Sequence, residues 1–420
     1  MNRILTVVLL IAGAAYGADV PDLWTLTTAD FKTECVRLQD FSDRGIDVAP
    51  VAGGEMRHVA REQFLELQRG ISVAPTNSGR FIAHLVDGDR FSGDPVGSSG
   101  EIVNWNSRAL GEIKLSMRNL RAIARTDATV DLAAHEPRGE DVIVLSNGDS
   151  VRGVIASISA SAASIQPSTG GEATNVPLES IAAMLFASAG TAAPRTDELK
   201  PSARFRVELA DGTSLSVLNP TLRDDALKLD GRAGALGSVP LSSVVSIEQV
   251  NGPVSWLSTL TPSENVQTPY LDLSWPARMD ATVSGEPIRA NGRVIRHGIG
   301  VHSYSRIAWP IDPSMLAFRT QYAIDGDQPY ADVTVRIKLD GKIAHELKSL
   351  RAGAVSPVVE LATNGARTIT LEIDYGANAD VQDRVNWIES ALLRYKPIPT
   401  TQGANAEIRN PKPESSSKDE

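Results

Sequence analysis

Apolar and polar residues alternate around short glycine turns at three places in the first half of the chain. The runs begin at Phe81, Val142 and Phe205, and each leads through Asp-Gly or Asn-Gly into a second apolar run. This arrangement is the strongest short-range signal for a β-hairpin. A type I′ turn needs positive φ at both central residues, which these dipeptides tolerate, so we predict type I′ turns.

Each of these segments closes with three apolar residues at relative positions 0, 5 and 8. The distance from the turn Asp or Asn to the first of the three is 28, 29 and 28 residues (87 to 115, 147 to 176 and 211 to 239). A fourth triplet, Val59, Phe64 and Leu67, occurs without an Asp-Gly turn. The other triplets are Leu115, Leu120 and Ile123; Val176, Ile181 and Met184; and Val239, Val244 and Ile247.

This repetition predicts that the first half is all-β and built from repeated small β-barrel-like units or a stacked β-array. We place a degenerate β-unit at residues 22–70 and further units at residues 79–125, 140–187 and 203–250. Asp87 and Asp89 suit a tight turn, with metal binding as the alternative. The next two units keep the turn but alter these carboxylates, which favours the structural role.

The single cysteine, Cys35, excludes a disulfide within the chain. The sequence around it, Glu-Cys-Val-Arg-Leu, is typical of a strand. Free cysteines are usually buried, so we expect Cys35 to be an inert core residue.

A second region begins at about Ser255. Apolar residues alternate with polar ones before Asp340-Gly341, and a second alternating run follows Asn364-Gly365. Two hairpins within fifty residues, with little helical periodicity, predict an antiparallel β-sandwich at residues 255–396.

The net charge and the two ends of the chain limit the possible partners and the location of the protein. The chain has 41 Lys and Arg against 51 Asp and Glu, a formal charge of −10, which argues against binding of nucleic acid. Residues 1–17 are typical of a signal peptide that is cleaved after Gly17, and their apolar run is too short to span a bilayer. We therefore predict an exported protein, periplasmic, cell-surface or secreted, with no membrane span after signal removal. Residues 397–420 are predicted to be a disordered tail.

Residues 255–396 resemble the NPCBM family of carbohydrate-binding modules, which is also found beside family 98 glycoside hydrolases. The resemblance rests on Gly292 and on five stretches in the family's order: "RHGIGVHSYSRIAW", "FRTQYAIDGD", "ADVTVRIKLDGK", "TITLEIDYG" and "DVQDRVNWIESALL". It implies a galactose-binding-like jelly-roll sandwich with ligand loops at one end, a galactose-type sugar as ligand and a structural calcium ion. This chain has Ala-Ile-Asp-Gly-Asp at residues 323–327 where the family commonly has Gly-Ile-Asp-Asp. Loops set ligand choice in sandwiches, so the family's sugar specificity does not carry over.

Planar hydrogen-bonding groups beside aromatic rings are what a sugar site needs. Such groups make up the candidate glycan-binding set, which is His302, Tyr304, Asn386 and Trp387. The alternative for His302 is a core histidine bonded to backbone, with Gly298 and Gly300 marking a bulge or a close approach of strands. Calcium takes six to eight oxygen ligands, and the candidate ligands are Asp325, Asp327, Asp380 and Asp383.

Catalysis is not indicated by the histidines. His302 and Ser303 are neighbours, and neighbours on a strand face opposite sides, so they do not form a base–nucleophile pair. His297 and His302 are five residues apart and also face opposite sides, which does not suit a zinc site. We predict an exported, non-catalytic protein that binds a glycan or polysaccharide. The alternative is a structural or protein–protein interaction component of the cell envelope, with envelope protein partners, whose module no longer binds sugar.

Overall fold

The computed structural model describes residues 23–395 except for 70–78, 129, 131, 133–134, 136, 138, 169, 188–203, 232–233, 251, 271–272 and 274. The predicted signal peptide and tail lie outside the described residues. The described chain consists of β-strands joined by turns and short 3₁₀ helices, so the predicted all-β class is confirmed. It divides into a repeat region that ends at Val254 and a sandwich that begins at Ser255. Within these described ranges, no helix is long and apolar enough to cross a membrane.

The same antiparallel arrangement occurs four times in the repeat region. In each repeat the first strand pairs with both the second and the last, and a three-residue 3₁₀ helix precedes the last strand. The first repeat contains β1 (Trp24–Thr28), β2 (Thr33–Ser42), β3 (Gly45–Pro50), β4 (Arg57–Ala60) and β5 (Phe64–Arg69). The second contains β6 (Phe81–Leu85), β7 (Arg90–Ser99), β8 (Ile102–Ser107), β9 (Gly111–Ser116) and β10 (Leu120–Arg125). The third contains β11 (Asp141–Leu145), β12 (Ser150–Ile158), β13 (Ala162–Gln166), β14 (Thr174–Pro177) and β15 (Ile181–Leu185). The fourth contains β16 (Arg204–Leu209), β17 (Ser214–Val217), β18 (Thr221–Arg223), β19 (Ala226–Gly231), β20 (Gly234–Pro240) and β21 (Val244–Val250).

The 3₁₀ helices explain the 0, 5, 8 spacing of apolar residues. In the second repeat, Leu115 lies in β9, Leu120 begins β10 and Ile123 follows within it, while the 3₁₀ helix Met117–Asn119 spans the gap. All twelve residues of the four triplets are buried in one apolar core. The first repeat has all five strands. Its hairpin has the same main-chain bond as the others, from the Thr28 N–H to the Lys32 carbonyl, and Phe31 takes the left-handed conformation of the missing glycine, with a φ of 62°.

The three predicted hairpins of the repeat region are present, but the predicted turn type is wrong. Only the glycines Gly88, Gly148 and Gly212 have positive φ, at 88°, 91° and 91°. The loops are therefore three-residue loops whose glycine adopts the left-handed conformation. The residue before each glycine keeps negative φ, and its side chain accepts the N–H two residues later, as when Asp87 accepts from Asp89 at 3.1 Å.

The repeats are joined through strands that pair at equivalent positions. The last strands of the first and fourth repeats place Leu67 opposite Ile247, and those of the second and third place Ile123 opposite Met184. Because each pair matches equivalent residues, its two repeats are related by an approximate two-fold axis. A third pairing joins β7 to β17. The repeats therefore follow the spatial order first, fourth, second, third.

The sandwich has two antiparallel sheets with an apolar core between them, as predicted. One sheet has the order β24-β27-β34-β29-β32 and the other β23-β28-β33-β30-β31. The bounds are β22 (Val254–Trp256), β23 (Glu264–Gln267), β24 (Arg278–Met279), β25 (Arg289–Ala290), β26 (Arg293–Val294), β27 (Gly298–His302), β28 (Ser305–Pro310), β29 (Ala317–Ile324), β30 (Val333–Leu339), β31 (Lys342–Leu350), β32 (Val359–Ala362), β33 (Thr368–Tyr375) and β34 (Arg384–Leu393).

The stretch "RHGIGVHSYSRIAW" passes from one sheet to the other. It contains β27 and β28, which lie in different sheets, and Ser303 and Tyr304 form the corner between them. Gly300 lies close to another chain segment, because a Cβ on it would overlap the main chain of Thr282, but that segment is a turn and not a strand. The second predicted hairpin is different: the turn Asn364-Gly365 connects β32 in one sheet to β33 in the other.

Cys35 lies in strand β2, but it is exposed rather than buried. Its neighbours Val36 and Leu38 alternate into the core. The prediction of a core cysteine was wrong because strand alternation directs Cys35 to the other face.

Candidate functional site

The outer face of the sheet that contains β27, β34 and β29 carries a polar and aromatic patch near one end of the sandwich. His302, at the end of β27, lies opposite Arg384 on β34. The Trp275 indole stacks on the His302 ring with 5.4 Å between centroids and 13° between planes. The Arg384 guanidinium lies 5.0 Å from the centroid of the same indole. One half-buried indole therefore covers a histidine and an arginine.

His302 is held as a neutral donor and acceptor. Only 7% of the residue is exposed, and its Nδ1 lies 3.0 Å from the Ser303 carbonyl oxygen. The Nδ1–H therefore donates to this carbonyl, and Nε2 is the unprotonated acceptor nitrogen. Burial lowers the pKa of His302, although the bond to Ser303 and the charge of Asp380 oppose this effect.

Asp325, directly after β29, and Asn386, in β34, extend this patch. Asn386 is buried on β34, and its Nδ2 donates to Asp325 Oδ1 at 2.9 Å. The Asp325 N–H in turn donates to the Arg384 carbonyl at 2.8 Å. We call Trp275, His302, Asp325, Arg384 and Asn386 together the outer-face patch.

A second aromatic group lies near the corner of Ser303 and Tyr304. Tyr270 is 58% exposed, and its ring meets Tyr375 edge-on at 5.5 Å, while Tyr304 lies 6.3 Å from Tyr375. The Tyr270 N–H donates to Asp380 at 3.4 Å. The Tyr304 hydroxyl is already engaged, because it donates to Glu372 at 3.1 Å.

Asp383 is a buried structural carboxylate in the same loop as Asp380. It accepts the Ser303 hydroxyl at 2.7 Å and the Asp332 N–H at 3.1 Å. Burial raises the pKa of Asp383 to about 6, although both hydrogen bonds oppose the shift. Asp383 thus ties the corner at Ser303 to the start of β30.

Residues 253–393 match the NPCBM/NEW2 domain family. The resemblance seen in the sequence is confirmed over this range, which is about a third of the chain. A search of curated protein sequences gave no match.

Solved structures similar to the chain include several CBM51 modules. The structure of CBM51-2 in complex with GlcNAc and INT domains from Clostridium perfringens ZmpB is 21% identical, with a TM-score of 0.31. The match covers 42% of this chain and 37% of the ZmpB chain. CBM51 from Clostridium perfringens GH95, in complex with methyl-galactose, is 20% identical, with a TM-score of 0.29. The match covers 33% of this chain and 99% of the GH95 chain. The tandem CBM51 modules of Sp3GH98 from Streptococcus pneumoniae SP3-BS71 are 14% identical, with a TM-score of 0.29. The match covers 64% of this chain and 92% of the Sp3GH98 chain.

The NPCBM/NEW2 domain separates the four predicted glycan-binding residues. His302 and Asn386 lie in the outer-face patch, and Tyr304 lies at the corner. Trp387, only 1% exposed, meets Tyr322 edge-on at 5.6 Å in the core. Asn386 and Trp387 alternate on one strand, so a residue that faces the patch and one that faces the core stand side by side.

The four predicted calcium ligands are also divided in this domain. Asp325 bonds Asn386, Asp383 bonds Ser303, Asp380 accepts from Tyr270, and Asp327 is exposed. In the described part of the chain, no three side chains of His, Cys, Asp or Glu stand close enough to hold a metal ion together. The calcium set stays a prediction.

The two histidines of the signature stretch have separate surroundings. His297 stacks on Trp256 at 4.7 Å, whereas His302 stacks on Trp275. The Ser303 hydroxyl donates to Asp383 rather than to a histidine.

Trp275, Arg384, Tyr270 and Tyr375 were missed as site residues from the sequence. Trp275 and Tyr270 lie in an irregular segment between β23 and β24, where no periodicity marks a face. Aromatic residues outside the strands of a sandwich are the signal that points to them.

Proposed function

We propose that the NPCBM/NEW2 domain binds a glycan at the outer-face patch and that the protein is exported and acts without catalysis. The observation that carries this proposal is the half-buried Trp275 indole over His302 and Arg384. An aromatic face provides the apolar platform for a sugar ring, and the neighbouring imidazole, guanidinium and Asp325 carboxylate provide acceptors and donors for its hydroxyls.

The choice of sugar rests on residue chemistry and on the family match. A galactose-type sugar has an axial hydroxyl that leaves one ring face apolar, which suits stacking on an indole. His302 Nε2 accepts a hydroxyl hydrogen, and Arg384 donates only. Two of the CBM51 structures named above are complexes, one with GlcNAc and one with methyl-galactose. We therefore propose a terminal hexose or N-acetylhexosamine as the recognised unit.

A glycan array with the purified protein, followed by calorimetric titration of methyl-galactose and GlcNAc, tests this function. Trp275→Ala should remove binding while the protein stays folded, because the indole is half-buried. Ile343→Ala is the matched control, since Ile343 is an exposed apolar residue beyond the Asp340-Gly341 turn, at the other end of β30. Absence of any glycan hit, or equal binding by Trp275→Ala and the wild type, would overturn the proposal.

The same titrations with added calcium and with a chelator test the predicted metal ligands. If calcium supports binding, Asp327→Ala should weaken it, because Asp327 is exposed and its loss does not disturb a buried contact. Equal affinities with calcium and with chelator would remove calcium from the proposal.

A further inference from the structure

The Asp-Gly hairpins of the second and fourth repeats form a joint with approximate two-fold symmetry. Arg90 lies opposite Ser214 in antiparallel pairing. These residues occupy equivalent positions, each three residues after the Asp of its Asp-Gly turn. Two reciprocal contacts flank them: Asp89 Oδ1 accepts the Ser216 N–H at 2.8 Å, and Thr213 Oγ1 accepts the Ser92 N–H at 3.1 Å.

The centre of this joint is buried. Four polar residues at its centre are buried, although each belongs to a polar turn or strand end; they are Asp89, Ser92, Thr213 and Ser214. A buried polar group needs a partner, and the Asp89 and Thr213 side chains each accept a main-chain N–H of the other hairpin. The joint therefore shows what this hairpin binds inside the molecule: another hairpin of its own kind.

The third repeat carries the same hairpin in an exposed position. Its residues Asn147-Gly148-Asp149-Ser150 align with Asp87-Gly88-Asp89-Arg90. The backbone is the same, because the Leu145 N–H donates to the Asp149 carbonyl at 2.8 Å, as the Leu85 N–H does to Asp89 at 2.8 Å. Yet Asp149 and Arg152 are exposed, whereas their equivalents Asp89 and Ser92 are buried.

Alternation of hydrogen bonding along an antiparallel strand places the N–H groups of Ser150 and Arg152 on the side of β12 away from β11. This is the side on which β7 pairs with β17 in the second repeat. The first repeat offers no matching edge, since its hairpin lacks the glycine loop and the Cys35 carbonyl already accepts the Val51 N–H at 3.0 Å.

We propose that the β11–β12 hairpin of the third repeat is an interaction surface for the same hairpin of a second copy of this chain. Ser150 lies opposite Ser150 of the other copy, in the register of Arg90 and Ser214. The Asp149 carboxylate of each copy accepts the Arg152 N–H of the other. The charges are complementary, because each Asp149 meets Arg152 across the axis. This inference is independent of the proposed glycan binding.

A disulfide tests the register directly. In a Cys35→Ser background, Ser150→Cys places two thiols opposite each other across the axis, within the Cα separation that a disulfide spans. Mild oxidation should give a covalent dimer on a non-reducing gel. Ser161→Cys is the control, because Ser161 is exposed in the turn between β12 and β13, at the far end of the strand. No cross-link at position 150, or equal cross-linking at both positions, would overturn the proposal.

Sedimentation of the cysteine-free protein over a range of concentrations gives the second readout. We expect a concentration-dependent dimer that Asp149→Ala weakens on the order of tenfold or more, since two charge-assisted hydrogen bonds are lost by symmetry. Asp149 is exposed, so the variant should keep its thermal midpoint. A monomer at all concentrations, or a dimer that Asp149→Ala leaves unchanged, contradicts the proposed surface.

Discussion

The polar side chains of the repeat region and those of the sandwich differ in what covers them. In the repeat region, Asp89 and Thr213 are sealed between two hairpins, and each has a partner from the other repeat. In the sandwich, Trp275 and Asp325 stay half-buried on the outer face of a sheet. Polar groups thus form a joint where a second element covers them, and a candidate ligand surface where they stay partly exposed.

The largest expected effect is a difference in stability between two tryptophan variants of the sandwich, Trp387→Ala and Trp275→Ala. Trp387→Ala should lower the free energy of unfolding by about 3–5 kcal/mol, because it empties a fully buried site in the core. Trp275→Ala should cost much less, since its indole is half-buried. Urea unfolding of both variants measures the difference. A loss for Trp275→Ala as large as that for Trp387→Ala would place Trp275 in the core and remove it from the candidate site.

The joint of the repeat region should carry a pH signature. Burial, helped by the charge of Asp87, raises the pKa of Asp89 to about 6 from 3.8. Between about pH 4 and pH 6 the folded state therefore holds more protons than the unfolded state, so the free energy of unfolding falls as pH rises. The loss from this group is at most about 3 kcal/mol and is complete above pH 6.

Asp89→Asn should remove this pH dependence while keeping an acceptor for the Ser216 N–H. Chemical unfolding at pH 4, 5, 6 and 7 measures the difference between the variant and the wild type. Asp149→Asn is the matched control, because it changes the equivalent but exposed residue of the third repeat. If Asp89→Asn and Asp149→Asn show the same pH profile, the joint is not the source of the dependence.

Most of the repeat region could be predicted from its sequence because its signals are local. The triplet spacing located the last strand of each repeat, and the glycine turns located three hairpins. The joint could not be predicted, since it depends on which hairpin meets which: Asp89 and Asp149 look alike in sequence, yet one is buried and the other exposed. The turn type was missed because Asp-Gly also suits a three-residue loop, in which only the glycine takes positive φ.

In the sandwich, the resemblance identified the domain, but the neighbours Asn386 and Trp387 could not both be assigned. Strand alternation puts one of any two neighbours on the core face, and only the packing of the folded domain shows that it is Trp387. The Trp275 ring is brought over His302 by a segment without periodicity. Its contact is tertiary, so no pattern along the chain contains it.

The smallest expected effect tests a feature that the two regions share, which is a glycine where two chain segments cross closely. A Cβ on Gly153 in β12 would overlap the Gln166 carbonyl oxygen, as one on Gly300 would overlap the main chain in the sandwich. Gly153→Ala should therefore destabilise the repeat region by about 1–3 kcal/mol, since backbone must move to accept it. Gly97→Ala in β7 is the control, because a Cβ there meets nothing within 4 Å and its φ is ordinary. Thermal unfolding should show a lower midpoint for Gly153→Ala and an unchanged midpoint for Gly97→Ala. Equal midpoints would mean that β12 bends away freely and that the close crossing is not required for the fold.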